Sequence, residues 1–98
     1  MYCMMARNQM KPGKVDAVAK ALEKDLGPIM KKTKGFRNAY MVAGPNGEYM
    51  GFLLFDSRAS ADSYVNNPSR KKVLETWGDM FEGPMKLEFG EVRIAIKA

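Results

Sequence analysis

The sequence of 98 residues contains no histidine, and this absence limits the chemistry open to the chain. Histidine is the commonest general base near neutral pH and the commonest protein ligand of transition metals. A single cysteine, Cys3, excludes an internal disulfide and is compatible with a reducing compartment. Because Cys3 lies in a predicted strand, we expect its thiol to pack rather than to react.

Long apolar runs are also missing. The longest, Met1 to Ala6 and Met50 to Phe55, are far shorter than the roughly 20 residues that a membrane helix needs. The first lacks the basic segment and cleavage site of a signal peptide. We therefore expect a single domain, residues 1–98, that is cytoplasmic and has no membrane partner.

The formal net charge of +5 raises the question of an anionic partner. The basic residues cluster in two places: Lys31, Lys32, Lys34 and Arg37, and then Arg70, Lys71 and Lys72. Lysines at the end of a helix complement its dipole, so the first cluster has a structural explanation. We interpret both clusters mainly as solvated faces, with an anion or nucleic-acid footprint as the alternative.

The first half of the chain alternates strand and helix patterns. Residues Tyr2 to Met10 predict a strand, and a stripe of apolar residues from Val15 to Met30 predicts a helix. The stripe continues beyond Gly27-Pro28, so these residues predict a kink or restart rather than an end. Two further strands follow, joined by a hairpin turn at Gly44-Pro45-Asn46-Gly47: Phe36 to Ala43 and Glu48 to Asp56.

The second half begins with a helix that Asp56 or Ser57 can cap. It stops near Asn66, and Asn67-Pro68 predicts the cap and first turn of another helix, ending by Gly83-Pro84. That helix carries Val73, Leu74, Trp77, Met80 and Phe81 at helical spacing. A last strand is predicted from Met85 to Lys97; a bulge at Gly90-Glu91 would bring its apolar residues onto one face, and otherwise the strand serves two faces.

This order predicts an α+β, ferredoxin-like βαββαβ fold with a four-stranded antiparallel sheet and the helices on one face. The first, third and fourth strands are expected to carry large apolar residues on the opposite face as well. Four such strands present roughly 400 Å² in projection, about the limit of an apolar patch on a soluble monomer. We therefore predict a homodimer, sheet against sheet, with the C-terminal strand reaching onto the partner.

Several segments resemble the antibiotic-biosynthesis monooxygenase family of the dimeric α+β barrel superfamily. They are the first strand ending in Asn8, the Lys11-Pro12-Gly13-Lys14 turn, Gly35-Phe36, Tyr49 to Phe55, Asp56-Ser57-Arg58-Ala59-Ser60-Ala61 and Asn67-Pro68. The resemblance implies a dimeric α+β barrel whose pocket lies between the helices and the sheet. It also implies two known activities, cofactor-independent oxygenation of aromatic polyketides or quinols, and haem degradation.

The haem-degrading branch uses an asparagine, a tryptophan and a histidine ligand. Asn8 matches the asparagine by position and Tyr64 aligns with the tryptophan, but no histidine exists to ligate iron. The resemblance therefore implies a monooxygenase-like protein that acts on a small aromatic, polyketide or quinone-type substrate without a cofactor or metal.

Five residues are candidates for such a site. Asn8 could donate to a substrate oxygen, Tyr64 could exchange a proton and Trp77 could stack on an aromatic ring. Tyr40 is the alternative to Tyr64 for the proton, and Arg37, with Arg7 as its alternative, could steady an enolate; Tyr40 and Arg37 are the predicted substrate-binding residues. Structural explanations compete with each role: Asn8 could simply end its strand, and Tyr64 and Trp77 lie on apolar helical stripes typical of a core.

Two other functions fit the same order of elements. A non-catalytic small-molecule binder or accessory dimer shares every feature above. RNA-recognition domains share the topology, but their aromatic signature needs a basic residue, a glycine and an aromatic residue where this chain has Glu48, Tyr49 and Met50. The glutamate opposes phosphate binding, so the sequence favours a small-molecule partner over nucleic acid.

Overall fold

The computed structural model describes residues 1–98 and contains the predicted sheet and helices. All neighbouring strands pair antiparallel in the order β2-β3-β1-β4. The elements are β1 (Tyr2–Gln9), α1 (Val15–Ala21), a π-helical segment (Leu22–Leu26), α2 (Gly27–Lys32), β2 (Phe36–Ala43), β3 (Glu48–Phe55), α3 (Arg58–Val65), α4 (Pro68–Glu75), a 3₁₀ turn (Gly78–Met80) and β4 (Lys86–Glu91). The ferredoxin-like α+β prediction is confirmed.

Alternation along the central strands places the core between the sheet and the helices. In β3, Tyr49, Leu53 and Phe55 are buried on the helix side, and the intervening residues face the other way. The register sets Met4 of β1 opposite Leu53, so the two strands bury the same face. The buried apolar cluster consists of Met4, Ala6, Met10, Val18, Leu26, Met30, Tyr49, Leu53, Phe55, Ala61, Tyr64, Trp77 and Phe81.

The first helix continues through Gly27-Pro28, as predicted, by changing its hydrogen-bond pattern. The Gly27 N–H donates to the Leu22 carbonyl, five residues earlier, and the segment Leu22–Leu26 is π-helical. Pro28 then occupies the first turn of α2, where its missing N–H costs no internal hydrogen bond. The buried stripe therefore runs unbroken from Val18 to Met30.

Side-chain caps start the two later helices. Ser57, rather than Asp56, caps α3 and accepts from the Ser60 N–H at 3.3 Å. Asn67 caps α4 as predicted, accepting from Ser69 and Arg70 at 2.8 and 3.4 Å. Each bond satisfies a backbone donor that the first helical turn leaves free.

The helix after Asn67 is shorter than the sequence predicts. It ends at Glu75 instead of reaching Phe81, and a separate 3₁₀ turn, Gly78–Met80, follows. The Thr76 hydroxyl donates to the Val73 carbonyl at 2.6 Å, and the Thr76 N–H bonds the same oxygen at 3.0 Å. These bonds tighten the last turn and end the regular helix.

The predicted last strand, Met85 to Lys97, is also too long. Strand β4 ends at Glu91, opposite Tyr2, and the final ladder bond runs from the Val92 N–H to the Met1 carbonyl at 2.9 Å. Residues 92–98, beyond this bond, belong to no strand. Ile94 and Ile96 are 77% and 90% exposed in this tail.

The sheet face turned away from the helices is called here the outer face. It is apolar on β1 and β3, as predicted, but the prediction for the fourth strand is wrong. No bulge interrupts the pairing of β1 with β4, so Leu87 and Phe89 stay on the helix side. Strand β2 supplies the further apolar side chains instead. The outer face carries Met5, Tyr40, Val42, Met50, Phe52 and Leu54.

Candidate functional site

A small cavity lies in the core between the sheet and the helices. Its volume of about 20 Å³ leaves room for about one water molecule. Most of its wall is aliphatic, but four side chains with polar atoms also face it. The lining residues are Met4, Ala6, Leu22, Leu26, Met30, Tyr49, Leu53, Tyr64, Arg70, Leu74, Trp77 and Met85.

Arg70 is the one charged residue in this lining, and it is only 7% exposed. Its Nη1 donates to the Val65 carbonyl at 3.2 Å, and its Cζ lies 5.2 Å from the centroid of the Tyr64 ring. No carboxylate lines the cavity to balance the charge. A buried cation without a counter-ion is costly, so the arrangement favours a bound anion.

The sequence interpretation of Arg70 as part of a solvated basic face is wrong. Lys71 and Lys72 are exposed, but Arg70 is buried. Helical spacing explains the difference, because Arg70, Leu74 and Trp77 fall on one face at positions i, i+4 and i+7. That spacing was the signal that could have identified Arg70 as a site residue.

Two buried N–H groups at the cavity have no hydrogen-bond partner. They are Nε of Arg70 and Nε1 of Trp77, whose side chain is 3% exposed. An unsatisfied buried donor costs about 1–3 kcal/mol. Trp77 is held by Phe81, whose ring stacks on it at 6.1 Å between centroids. Residues of the cavity wall therefore carry two N–H groups, on Arg70 and Trp77, that have no hydrogen-bond partner in the protein.

Two tyrosines complete the polar part of the lining. Burial raises the pKa of Tyr49 to about 12, with a smaller contribution from Tyr64. Burial also raises the pKa of Tyr64, and the Arg70 charge opposes this shift. Both hydroxyls therefore stay protonated at neutral pH and can donate. None of the polar groups at the cavity is a base, so a ligand must arrive as an anion or lose its proton readily.

Tyr64 and Trp77, predicted as catalytic residues, line this one cavity together. Asn8 does not line it. Its Nδ2 donates to the Gly83 carbonyl at 2.8 Å, and its Oδ1 accepts from the Gln9 N–H at 2.8 Å. Both ends of the amide are therefore committed to backbone groups, and they tie the loop before β4 to the end of β1.

Arg37 and Tyr40, predicted as substrate-binding residues, line a separate open cleft beside the edge strand β2. The cleft measures about 520 Å³ and is bounded on its other side by the first helix. Arg37 is ion-paired with Asp56, and Tyr40 is 58% exposed. The five candidates thus fall into three places rather than one.

The other side chains that could bind a metal or act as a nucleophile do not form a cluster. No group of three or more histidine, cysteine, aspartate or glutamate side chains could hold a metal ion. Cys3 lies on the outer face, away from the cavity, and burial raises the pKa of its thiol. No helix has both the length and the apolar character needed to cross a membrane.

Solved structures similar to this one include two oxygenases. ActVA-Orf6, a monooxygenase of Streptomyces coelicolor in complex with nanaomycin D, has a TM-score of 0.83 and 17% identity, covering 99% of this chain and 91% of that one. SnoaB, a cofactor-independent oxygenase from Streptomyces nogalater, has a TM-score of 0.82 and 6% identity, covering 99% and 97%. At these identities the likeness shows the fold alone.

A protein of unknown function from Nitrosomonas europaea is similar in the same way, with a TM-score of 0.80 and 18% identity over 99% of this chain and 93% of that one. Comparison with curated proteins finds no significant sequence match. The sequence model of one family, antibiotic biosynthesis monooxygenase, does match, over residues 1–76. Since that match spans most of the chain, the protein belongs to the antibiotic biosynthesis monooxygenase family.

Proposed function

We propose that the protein is a cofactor-independent monooxygenase that acts on a small, acidic aromatic or quinol-type compound, and that the core cavity widens from its volume of about 20 Å³ to bind it. The observation that carries the proposal is the buried Arg70 cation, which faces the cavity with Trp77 and two protonated tyrosines and has no carboxylate beside it. Such a site stabilises an anion. Family membership and the two similar oxygenases support the same class of chemistry.

The proposed reaction needs only what a substrate anion and oxygen supply. A phenolic or enolic substrate loses its proton to solvent before it is enclosed, and its anion gives one electron to O₂, forming a radical and superoxide. Their recombination makes a carbon–oxygen bond and a peroxide anion, which takes up one proton from solvent to become a hydroperoxide. Loss of water from the hydroperoxide converts a ring CH₂ to C=O. One oxygen atom enters the product and the other leaves as water.

Each cavity residue has a role in this scheme. Arg70 pairs with the phenolate or enolate oxygen and so lowers the pKa of the substrate's hydroxyl group. Trp77 Nε1 donates to the same anion or to the peroxide, and the Tyr64 hydroxyl supplies a further donor. The aliphatic wall excludes water, which strengthens these interactions and protects the radical pair.

The decisive experiment measures oxygen uptake with 1,4-dihydroxynaphthalene and anthrone as substrates. We expect wild-type turnover above the uncatalysed rate, and losses of about tenfold or more in Arg70→Met and of several-fold in Trp77→Phe. Arg70→Lys keeps the charge but not the planar fork, so it should fall between wild type and Arg70→Met. Asn8→Ala is the comparison variant, because its amide is held by backbone groups. If Arg70→Met consumes oxygen as fast as the wild type, the proposed site is wrong.

A second candidate function is binding without turnover. The committed amide of Asn8 favours it, since one of the predicted catalytic donors is engaged elsewhere. In that case the same aromatic acids would quench or shift Trp77 fluorescence and consume no oxygen. Arg70→Met would then weaken binding, which separates a binder from a protein with no site at all.

We also propose that a second copy of the chain covers the outer face. Six apolar side chains lie there with no helix above them, and Tyr40 and Val42 are 58% and 42% exposed. The tail of residues 92–98 carries Val92, Ile94 and Ile96 at alternate positions and belongs to no strand. In a two-fold pair, the two outer faces would bury one another and each tail could extend onto the partner.

A further inference from the structure

The open cleft and the core cavity share two wall residues, Leu22 and Met30. The cleft, of about 520 Å³, is large enough for a small aromatic compound, and the cavity, of about 20 Å³, is not. For comparison, an engineered protein cavity of about 150 Å³ accepts benzene. Since Leu22 and Met30 line both spaces, their side chains form the partition between them.

We propose that a ligand moves from the cleft into the cavity by displacing the side chains of Leu22 and Met30. These two side chains therefore set the size of ligand that the site admits. This inference rests on the proposed function, because it assumes that the cavity is the binding site. In this scheme the ligand first binds in the cleft beside β2, which Arg37 and Tyr40 line, and then enters the cavity.

The chemistry of the two side chains suits this role. Met30 is 4% exposed and unbranched, with three rotatable bonds that let it repack around a ligand. Leu22 is half-buried. Neither side chain makes a hydrogen bond, so moving the two side chains aside breaks no polar interaction. The cavity can then expand into the volume that they vacate.

The backbone beneath the partition is also irregular. Leu22 begins the π-helical segment Leu22–Leu26, and Met30 lies one turn beyond its end. Such π-helical segments are rare and occur frequently at functional sites. Gly27, between the two, lines the cleft and has no side chain to obstruct it.

A competing route exists on the opposite side of the cavity. Met85 lines the cavity but not the cleft, is half-buried, and lies in the loop before β4. Met30 and Met85 thus form a matched pair: the same residue type, in the same cavity wall, on two different sides. Val18 is a second control, because it is fully buried in α1 and lines neither space.

Trp77 is the only tryptophan in the chain and lines the cavity, so its fluorescence reports access without any substrate. We expect Met30→Ala to raise the rate constant for quenching by acrylamide about threefold or more, because local opening controls contact. Met85→Ala and Val18→Ala should raise it less. A rise in either control equal to or above that of Met30→Ala overturns the proposal. If Met30→Ala fails to fold, Met30→Val against Met85→Val gives the same comparison.

A second arm uses 1,4-dihydroxynaphthalene under argon, with its association followed by stopped-flow fluorescence of Trp77. Leu22→Phe should slow association about tenfold, and Met85→Phe, which changes the cavity wall but not the passage, should slow it by a smaller factor. The reverse order would place the entrance at Met85. If this compound does not bind the wild type at all, the proposed function fails, and the acrylamide result still decides whether the passage exists.

Discussion

At the scale of single residues, the cavity depends on close contacts that one atom can disturb. Gly51 lies beneath the Tyr49 ring, and a Cβ at this position would stand 2.9 Å from the Tyr49 hydroxyl. Glycine is required here because the ring occupies the space that a side chain would take. Tyr49, in turn, packs edge-on against Phe81, which holds Trp77.

Gly51→Ala should therefore displace Tyr49 and destabilise the protein by about 1–3 kcal/mol, the usual cost of overpacking. Urea unfolding followed by Trp77 fluorescence measures the change. Gly90→Ala is the matched control, since it is also a strand glycine and an added Cβ there meets nothing within 4 Å. Equal stability of the two variants would show that the Tyr49 contact is not tight.

The raised pKa of Tyr49 predicts a loss of stability at alkaline pH. Its pKa rises from the ordinary value of 10.0 to about 12 in the folded protein, because burial disfavours the phenolate. Below pH 10 the hydroxyl is protonated in both states and its contribution is complete. Between about pH 10 and 12 the unfolded state ionises first, so the free energy of unfolding falls as pH rises.

A shift of this size corresponds to about 3 kcal/mol, as an order of magnitude. Urea unfolding at pH 9 and near pH 12 should show a larger drop for wild type than for Tyr49→Phe. The exposed Tyr40→Phe serves as the control and should behave like wild type. Parallel curves for wild type and Tyr49→Phe would contradict the assignment.

At the scale of the element, helix α4 positions the polar part of the site. It carries Arg70 in its first turn and leads directly into Trp77. Its start is fixed by Asn67, whose Oδ1 accepts from the backbone of Arg70 itself. The cap therefore acts on the guanidinium position as well as on helix stability.

Asn67→Ala should cost about 1 kcal/mol of unfolding free energy. It should also reduce oxygen uptake, because the first turn of α4 frays and Arg70 loses its fixed position. Asn66→Ala, one residue away and exposed, makes no side-chain hydrogen bond and should change neither quantity. An effect of equal size in both variants would rule out capping as the cause.

At the scale of the whole molecule, the sheet has one face under its own helices and one without such cover. The outer face is apolar along β2, β3 and the first half of β1, and becomes polar at Arg7 and along β4, where Lys86 and Glu88 lie. A second copy placed over the first three strands would bury the apolar part and leave the charged edge in water.

Size-exclusion chromatography with light scattering at micromolar protein should give about twice the 11.0 kDa mass of one chain. Phe52→Glu, which places a charge in the centre of the outer face, should reduce the mass to that of the monomer while the far-ultraviolet circular dichroism is retained. Lys24→Glu, in the π-helical segment, should remain a dimer. A wild-type mass of 11.0 kDa would refute the pairing.

The sequence by itself determined the order of elements, the cap at Asn67, the continuation of the first helix through Gly27-Pro28 and the two faces of β3. Periodicity and capping act within a few residues, so local patterns carry them. Only the tertiary structure decided where β4 ends, because a strand pairs only as far as its neighbour extends. It likewise decided that Arg70 is buried and that it meets Tyr49, Tyr64 and Trp77, since packing brings these distant residues into one cavity.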